Sequence, residues 1–375
     1  MKPQSIFDRI VDALQPDGTL PRDFELAQSE TAEIEGGSVR VGANVSESEP
    51  AAESAADPNN PGTVGTAGDP GASQDTGFPK VVRFANGAED GIRIYHFGVT
   101  EAPDIAAEVS KIIRKDVKKH GTKPNPRLIE LVRTHTALSL VDHLIQDISG
   151  NSRGIILANF AAYACRLAFE STDKELVKLG VALLGIMETE GEEEITQSLL
   201  TLAACDEFTL YVVTALMNRS DTDELLWQIA KNVCGWGKIH AVDRLEPSTE
   251  DIRNWILRDG LSNDVLDAYL ALTVAEKGGL IDVLRKDTID EELFSSILAI
   301  VDALIDEGPV AGISMYENAE EALEQFMRHV ESRPGAPEIR SILTRLLEVL
   351  ENPGELKLAP EVTETLKGKV TARLG

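Results

Sequence analysis

An all-α fold is predicted, in the form of an α-solenoid of stacked helix pairs, and three features of the sequence predict it. From residue 104 onward, apolar residues recur every three or four positions in segment after segment. Turn-forming residues separate these segments. Alternate segments begin near residues 192, 222, 248 and 279, a spacing of about 30 residues. Because a short amphipathic helix cannot bury its apolar face alone, we expect about five or six helix pairs in a right-handed solenoid.

The chain begins with a docking helix predicted over residues 5–14, inside an N-terminal extension of residues 1–27. Ile6, Ile10 and Leu14 lie on one face of this helix, and Asp and Arg side chains lie opposite. We expect the apolar face to pack on the rest of the chain. The alternative is a recognition helix that docks on another protein.

Residues 28–78 are predicted to form a disordered acidic tether. Gly, Pro, Ala, Ser, Asp and Glu dominate this segment, and its few Val and Ile residues are isolated. A segment of this composition has too little apolar surface to offset the entropy that it would lose on ordering.

A small β-hairpin is predicted over residues 79–99. Two runs rich in β-branched and aromatic residues, VVRF and IRIYHFGV, flank the glycine-containing segment ANGAEDG. Since an isolated hairpin is marginally stable in water, we expect it to pack on the helical body.

The helical repeat domain is predicted over residues 104–351, and its first helix, residues 104–120, is basic on its outer face. The simpler interpretation is a solvated face on which the lysine stems cover apolar neighbours. The alternative is a basic patch that holds the acidic tether or an acidic partner. The residues of this patch are Lys111, Lys115, Lys118 and Lys119.

The next helix is predicted to begin at Pro126, with Asn125 as its N-cap, and to run toward residue 148. His135 and His143 share a face but lie eight residues apart. Metal ligands on a helix lie three or four residues apart, so we predict no metal site here. Later helices are predicted over residues 154–170, 174–188, 192–204, 207–218, 222–234, 238–245, 248–259, 263–276, 279–286, 290–306, 317–331 and 336–351, followed by a capping tail over residues 352–375.

The segment GWGKIHAVDRL, residues 235–245, attracts most of the functional interest. Read as a helix from residue 238, it places apolar residues on a packing face and His240 and Arg244 on another face, open to water or a partner. A second helix is predicted to follow, with Ser248 as its N-cap and a left-handed Gly260 at its end.

These two helices contain a cluster of candidate binding residues. In the functional interpretation they face an inner groove and grip an acidic peptide or a small anion, because Trp and Arg dominate binding hot spots. In the structural interpretation the charged members form Asp–Arg pairs between stacked helices. The candidate binding residues are Trp236, His240, Arg244, Arg253 and Arg258.

Helix pairs at this spacing resemble those of the HEAT and armadillo-like superfamily. More narrowly, the segments IFDRIVDALQPDGTLPRDFEL, GWGKIHAVDRL and NWILRDG resemble a group of bacterial HEAT-like proteins, some of which carry a limonene hydroxylase label. The resemblance implies a HEAT-like solenoid, and it implies no established mechanism.

The residues do not support the chemistry of that label. Oxygen activation needs haem held by Cys or His, a flavin on a Gly-rich turn, or iron held by two His and a carboxylate, and no such pattern is recognisable. GWG lacks the third glycine of a dinucleotide fingerprint, and GxSxG, HExxH and P-loop motifs are absent from the sequence. We therefore predict no cofactor.

Composition limits the classes of partner. The formal net charge of -27 at pH 7 disfavours nucleic acid and anionic lipid, which are bound through clustered Lys and Arg. The most apolar run, residues 154–165, is 12 residues long, and a membrane span needs roughly 20. The three cysteines lie far apart in apolar segments, as expected of core residues in the reducing cytosol.

The sequence therefore predicts a cytoplasmic scaffold or adaptor that binds a protein or acidic peptide partner through its groove, without catalysis. The alternative is a small-molecule-binding or modifying enzyme with its site near His240 and Arg244. A scaffold predicts an extended groove, whereas an enzyme predicts a closed pocket with convergent titratable groups.

Overall fold

The computed structural model describes residues 3–26, 84–307, 310–333 and 337–375. These residues form eighteen α-helices, one π-helical turn and one 3-10 turn, and no strand occurs among them. The all-α prediction is therefore confirmed for this part of the chain. The predicted tether lies outside the described residues.

Nine of the helices in the described residues precede residue 220. Asn125 caps the fourth of them through its side-chain oxygen, which accepts from the backbone N–H of Arg127 at 2.9 Å, as the sequence predicts. The nine helices are α1 (Ile6–Ala13), α2 (Ala88–Ile92), α3 (Pro103–Asp116), α4 (Pro126–His135), α5 (Val141–Gly150), α6 (Leu157–Glu170), α7 (Lys174–Leu184), α8 (Glu193–Ala203) and α9 (Asp206–Leu216).

Nine more helices follow in the part of the chain that the structure describes. The predicted C-terminal tail contains the last of them, which packs on the two helices before it. They are α10 (Thr222–Asn232), α11 (Trp236–Arg244), α12 (Glu250–Asp259), α13 (Ala268–Gly278), α14 (Leu280–Leu284), α15 (Glu291–Ile305), α16 (Ala319–Glu331), α17 (Pro337–Glu351) and α18 (Pro360–Leu374).

The β-hairpin prediction is wrong where it can be compared with the structure. The second predicted strand is helical instead: α2 leads directly into the π-helical turn, Arg93–Phe97. The first predicted strand, residues 81–84, lies outside the described part except for Phe84, which is not in a strand.

Long-range contacts explain this failure. Gly91 in α2 lies so close to the Trp236 ring that a Cβ atom would stand 2.1 Å from a ring carbon. Asp90, its neighbour, pairs with a lysine that is 88 residues away in the chain. Strand propensity is weak beside tertiary contacts of this kind.

Two helix boundaries also differ from the prediction. The helix expected over residues 126–148 breaks at Thr136, which has a φ of 61°, so that α4 and α5 are separate. The freed N–H of Ala137 donates to the buried Glu175 carboxylate at 2.6 Å. The prediction of a left-handed Gly260 at the end of α12 is wrong, since the φ of Gly260 is -70°. At the start of α12, the N-cap is Thr249 rather than Ser248.

Neighbour relations among the helices follow a regular order. α1 packs on α6 and α8, and the backbone N–H of Ile6 donates to the carbonyl of Ser171 at 2.9 Å. From α7 to α17, each odd-numbered helix contacts the next odd-numbered one. The even-numbered helices α8, α10 and α12 pack on α9, α11 and α13 respectively. Most of the aliphatic core lies between these helices.

A buried charge cluster joins three helices of this body. Lys178 of α7 is 1% exposed, and its Nζ lies 2.7 Å from Asp90 Oδ2 of α2 and 2.7 Å from Glu207 Oε1 of α9. Glu175, one turn earlier in α7, is 3.2 Å away. The hydroxyl of Tyr211 donates to Asp90 at 3.0 Å. We call these five residues the Lys178 cluster.

The cluster also fixes the backbone around it. Glu207 accepts from the N–H of Gly87 at 2.8 Å, just before α2 begins. Burial opposes the charged form of Lys178, but the facing Tyr211 and the three carboxylates outweigh it and raise the pKa of the amine. Lys178 therefore stays charged and holds the cluster together.

We expect Lys178→Met to destabilise the fold strongly. Removing one partner from a buried ionic cluster leaves the others uncompensated and costs about 3–5 kcal/mol. Lys174→Met is the matched control, because Lys174 also pairs with Glu207, at 3.0 Å, but its side chain is 42% exposed. An exposed pair contributes up to about 1 kcal/mol. Urea unfolding of the two variants measures both effects, and equal losses would contradict the assigned role of the cluster.

Candidate functional site

Of the two residues of α11 predicted to face water or a partner, His240 lies in the interior and Arg244 is partly buried. α11 begins at Trp236, two residues earlier than predicted, and packs against α9, α10 and α13. Trp236 is 5% exposed and His240 is 1% exposed. The prediction that His240 faces water or a partner is corrected on this point, because neighbouring helices cover both faces of α11.

Trp236 and His240 belong to an aromatic cluster with Tyr95 and Tyr269. The Trp236 and Tyr269 ring centroids lie 5.0 Å apart, and Tyr95 stacks on His240 at 6.1 Å. Neither ring nitrogen of His240 has a hydrogen-bond partner among the described residues. Burial, together with the nearby Arg244, lowers the pKa of His240 to about 3. His240 is therefore a neutral ring at physiological pH.

The three predicted arginines do not converge on one surface. Arg244 is partly buried, donates to the carbonyl of His240 at 3.2 Å and lies 3.7 Å from Asp243. Arg258 joins α12 to the start of α15 through Asp290, at 2.9 Å. Arg253 lines a separate pocket of about 320 Å³ beside Gly279. The structure thus brings Trp236, His240 and Arg244 together and leaves Arg253 and Arg258 apart from them.

A larger pocket of about 490 Å³ has Trp236 among its lining residues. We call it the Asp206 pocket. Its walls come from the N-terminal extension, the segment before α2, the start of α9, the segment between α10 and α11, and the segment before α13. The polar residues that line it are Arg22, Asn86, Asp206, Asn232, Cys234 and Asp264.

The carboxylate of Asp206 holds the start of α11. The backbone N–H groups of Gly237 and Gly235 donate to it, as they would to a capping side chain. A Cβ on Gly235 would lie 2.1 Å from Asp206 Oδ2, and a Cβ on Gly237 would lie 2.5 Å from Oδ1. Both glycines of the GWG segment are therefore required by the carboxylate. Burial outweighs these hydrogen bonds and raises the pKa of Asp206 to about 7.

A thiol and a second carboxylate stand at the rim of this pocket. Cys234 is exposed, contrary to the expectation of three core cysteines, whereas Cys205 is buried and Cys165 is half-buried. Partial burial of the Cys234 thiol and a hydrogen bond with Asp264 raise its pKa to about 11. Arg22 reaches within 3.8 Å of Asp264.

The four lysines of the predicted basic patch are all exposed, two on α3 and two just after its end, and we call them the basic surface. Lys111, Lys115, Lys118 and Lys119 form no ion pair with any residue that the structure describes. Arg114 on the same helix is engaged, because it donates to the carbonyl of Asn151 at 2.6 Å and pairs with Asp147 at 3.3 Å.

An exposed apolar pair lies beside the basic surface. The side chain of Asn159 donates to the carbonyl of Val117 at 2.9 Å and so joins the start of α6 to the end of α3. Ile156 and Leu157, which precede Asn159, are 53% and 65% exposed. The two side chains and the basic surface together combine positive charge with apolar area.

The described residues contain no group of three or more His, Cys, Asp or Glu that could hold a metal ion. No described helix is both long enough and apolar enough to cross a bilayer.

Comparison with known proteins finds no matching family model, no matching curated protein and no matching solved structure. The resemblance to HEAT-like proteins therefore stays a prediction.

Of the residues that line the Asp206 pocket, only Trp236 is predicted from the sequence as a binding residue. The one signal was GWG, since two glycines around the start of a helix indicate a close approach of another group. The glycines do not say which group approaches, and Asp206 lies about 30 residues earlier in the chain.

Gly237→Ala tests the contact between glycine and carboxylate. An added Cβ would meet Asp206 Oδ1 and Thr209 Oγ1, each at 2.5 Å, so we expect a loss of about 1–3 kcal/mol of unfolding free energy. The loss should shrink in an Asp206→Ala background. Gly368→Ala in α18 is the control, because its Cβ would meet nothing within 4 Å and helix propensity should stabilise it by up to about 1 kcal/mol. A stabilising Gly237→Ala would contradict the assignment.

The raised pKa of Asp206 predicts a pH dependence of stability. Its carboxyl binds a proton more tightly in the folded chain than at the ordinary pKa of 3.8. Its contribution is thus fully present below pH 3.8 and is lost as the pH rises through about 7. The slope for one proton is at most about 1.4 kcal/mol per pH unit.

Urea unfolding of the native chain and of Asp206→Asn, at several values from about pH 5 to pH 8, measures this dependence. We expect the stability of the native chain relative to the variant to fall as the pH rises. The difference isolates Asp206, since Glu175, whose pKa burial also raises, is present in both proteins. Parallel curves would show that Asp206 titrates normally.

Proposed function

We propose that this chain is a non-catalytic helical-repeat adaptor of the cytoplasm that binds an acidic, partly apolar peptide segment of a partner protein. The observation that carries the proposal is the basic surface, four exposed lysines without an ion pair among the described residues, beside exposed Ile156 and Leu157.

The charge of the chain makes this surface unusual. The sequence has 63 acidic residues and 36 Lys and Arg, so carboxylates are available as partners for most cations. Many arginines do use them: Arg285 pairs with Glu321 at 2.7 Å and Arg345 with Asp302 at 2.7 Å. In so acidic a chain, four neighbouring lysines without an ion pair among the described residues favour a ligand that brings its own negative charge.

The apolar pair adds a second requirement for the ligand. Burying exposed aliphatic area contributes about 25 cal/mol per Å², whereas exposed charges mainly speed and orient association. A partner segment with acidic and aliphatic residues on one face meets both requirements. A purely acidic polymer meets only the first.

The order of helix contacts supports the repeat part of the proposal. A succession in which alternate helices contact each other, with the intervening helices packed on them, is what stacked helix pairs produce. In a HEAT-like solenoid of this kind, neighbouring repeats form a continuous surface on which an extended peptide can lie.

Fluorescence anisotropy with a labelled peptide of alternating Glu and Leu pairs tests the proposal. We expect binding that weakens as ionic strength rises, because screening acts over about 8 Å at physiological salt. Reversing Lys115, Lys118 and Lys119 to Glu should weaken binding at least about tenfold, or about 1.4 kcal/mol. A Leu157→Ser variant should weaken it without changing the salt dependence.

The matched control reverses three other exposed cations, Lys286, Arg340 and Lys357, to Glu. It changes the net charge equally and should leave binding nearly intact. Equal losses in both triple variants would mean that overall charge governs the binding, and the basic surface would then have no special role.

A further inference from the structure

The Asp206 pocket has features that the proposed function does not use. It is built from five separate segments, and its volume lies within the range of about 300–1,000 Å³ that is typical of small-molecule sites. Apolar lining residues include Trp236, Val233 and Val265, and hydrogen-bonding lining residues include Asn86 and Asn232.

Asp206 lacks a cationic partner in this pocket. Its oxygens accept only backbone N–H groups, and no Lys, Arg or His among the described residues forms an ion pair with it. Its acidic neighbours, Asp264 and Glu207, further disfavour its ionised form. A positive charge entering the pocket would pair with the Asp206 carboxylate and offset the repulsion from its two acidic neighbours.

The Lys178 cluster shows how this chain otherwise buries carboxylates. Glu207, the residue next to Asp206, is fully surrounded, and Lys178 and Lys174 approach it to 2.7 Å and 3.0 Å. Asp206 lies at a cavity, whereas Glu207 lies beside a lysine. The contrast points to a cation that comes from outside the chain.

The second carboxylate strengthens this argument. The side chain of Asp264 is 49% exposed, and its ion-pair partner Arg22 is 83% exposed and lies at 3.8 Å, a separation at which a surface pair contributes little. An entering cation can therefore displace Arg22 at small cost. Asp264 then forms the outer wall of the site and Asp206 the inner wall.

We infer that the Asp206 pocket binds a small organic ammonium ion. Two of its N–H groups donate to the carboxylates of Asp206 and Asp264, the third donates to the side-chain oxygen of Asn86 or Asn232, and its aliphatic or aromatic body lies against Trp236. This site is independent of the basic surface, which selects the opposite charge, so either proposal can fail without the other.

Cys234 provides a reporter of occupancy. Its exposed thiol lines the pocket and hydrogen-bonds with Asp264, so a bound amine should slow its alkylation by iodoacetamide. Half-buried Cys165 lies outside the pocket and serves as the internal reference. Mass spectrometry of digested protein reads the two thiols separately.

The probes are putrescine, phenethylamine and tyramine, each compared with the alcohol in which hydroxyl replaces the ammonium group. We expect at least one amine to slow alkylation of Cys234 about tenfold or more, with no effect on Cys165, and its alcohol to have no effect. Protection should strengthen as the pH rises from about 6 to about 8, because Asp206 must ionise to accept the ammonium group.

Asp264→Asn and Asp206→Asn should each weaken the protective amine about tenfold. Asp264→Asn should leave the fold intact, because the Asp264 side chain is half exposed. Asp287→Asn is the control, since the side chain of Asp287 is fully exposed and does not line the pocket. Thermal unfolding checks that every variant is folded. No protection by any of the three amines, equal protection by the alcohols, or unchanged protection in both variants would overturn the inference.

Discussion

The body of this protein depends on the pairing of Lys178 with three carboxylates from three parts of the chain. A lysine that is 1% exposed is stable only if opposite charges reach it, and here α2 and α9 each bring one while α7 supplies its own. The pairing therefore dictates where those helices lie. It also favours a helical conformation over residues 88–97, because this conformation lets Asp90 reach Lys178 while the adjacent Gly91 packs against the Trp236 ring.

The start of α9 connects this cluster to the pocket. Glu207 points to Lys178, and the adjacent Asp206 points to the start of α11, so one helical turn places one carboxylate in a fully paired site and the other at a cavity. The second position is possible only because glycines occupy positions 235 and 237. The pocket is thus a consequence of the way in which α9 and α11 meet, and Asp206 both caps a helix and lines a site.

The sequence predicts local features well and long-range ones poorly. Helix periodicity, the Asn125 cap and the exposed lysines on and just after α3 depend on neighbours within a turn or two, and the structure has all of them. The failed hairpin and the burial of His240 depend on partners far away in sequence. Asp90 and Lys178 are 88 residues apart, and no pattern near either residue indicates the other. For the same reason the sequence does not predict the Asp206 pocket, because its lining residues come from five separate segments.

The placement of cations is the most informative feature of so acidic a chain. Since carboxylates outnumber Lys and Arg, a cation inside the protein or between helices needs no further explanation, and Lys178, Arg258 and Arg285 are of this kind. Two exceptions among the described residues are the basic surface, where four neighbouring lysines form no ion pair, and Asp206, a largely buried carboxylate with which no Lys, Arg or His forms an ion pair. Each exception is an unbalanced charge that ordinary packing does not require. An unbalanced charge near apolar area is where binding a ligand of opposite charge gains the most, because the ligand restores the pairing that the chain itself leaves incomplete.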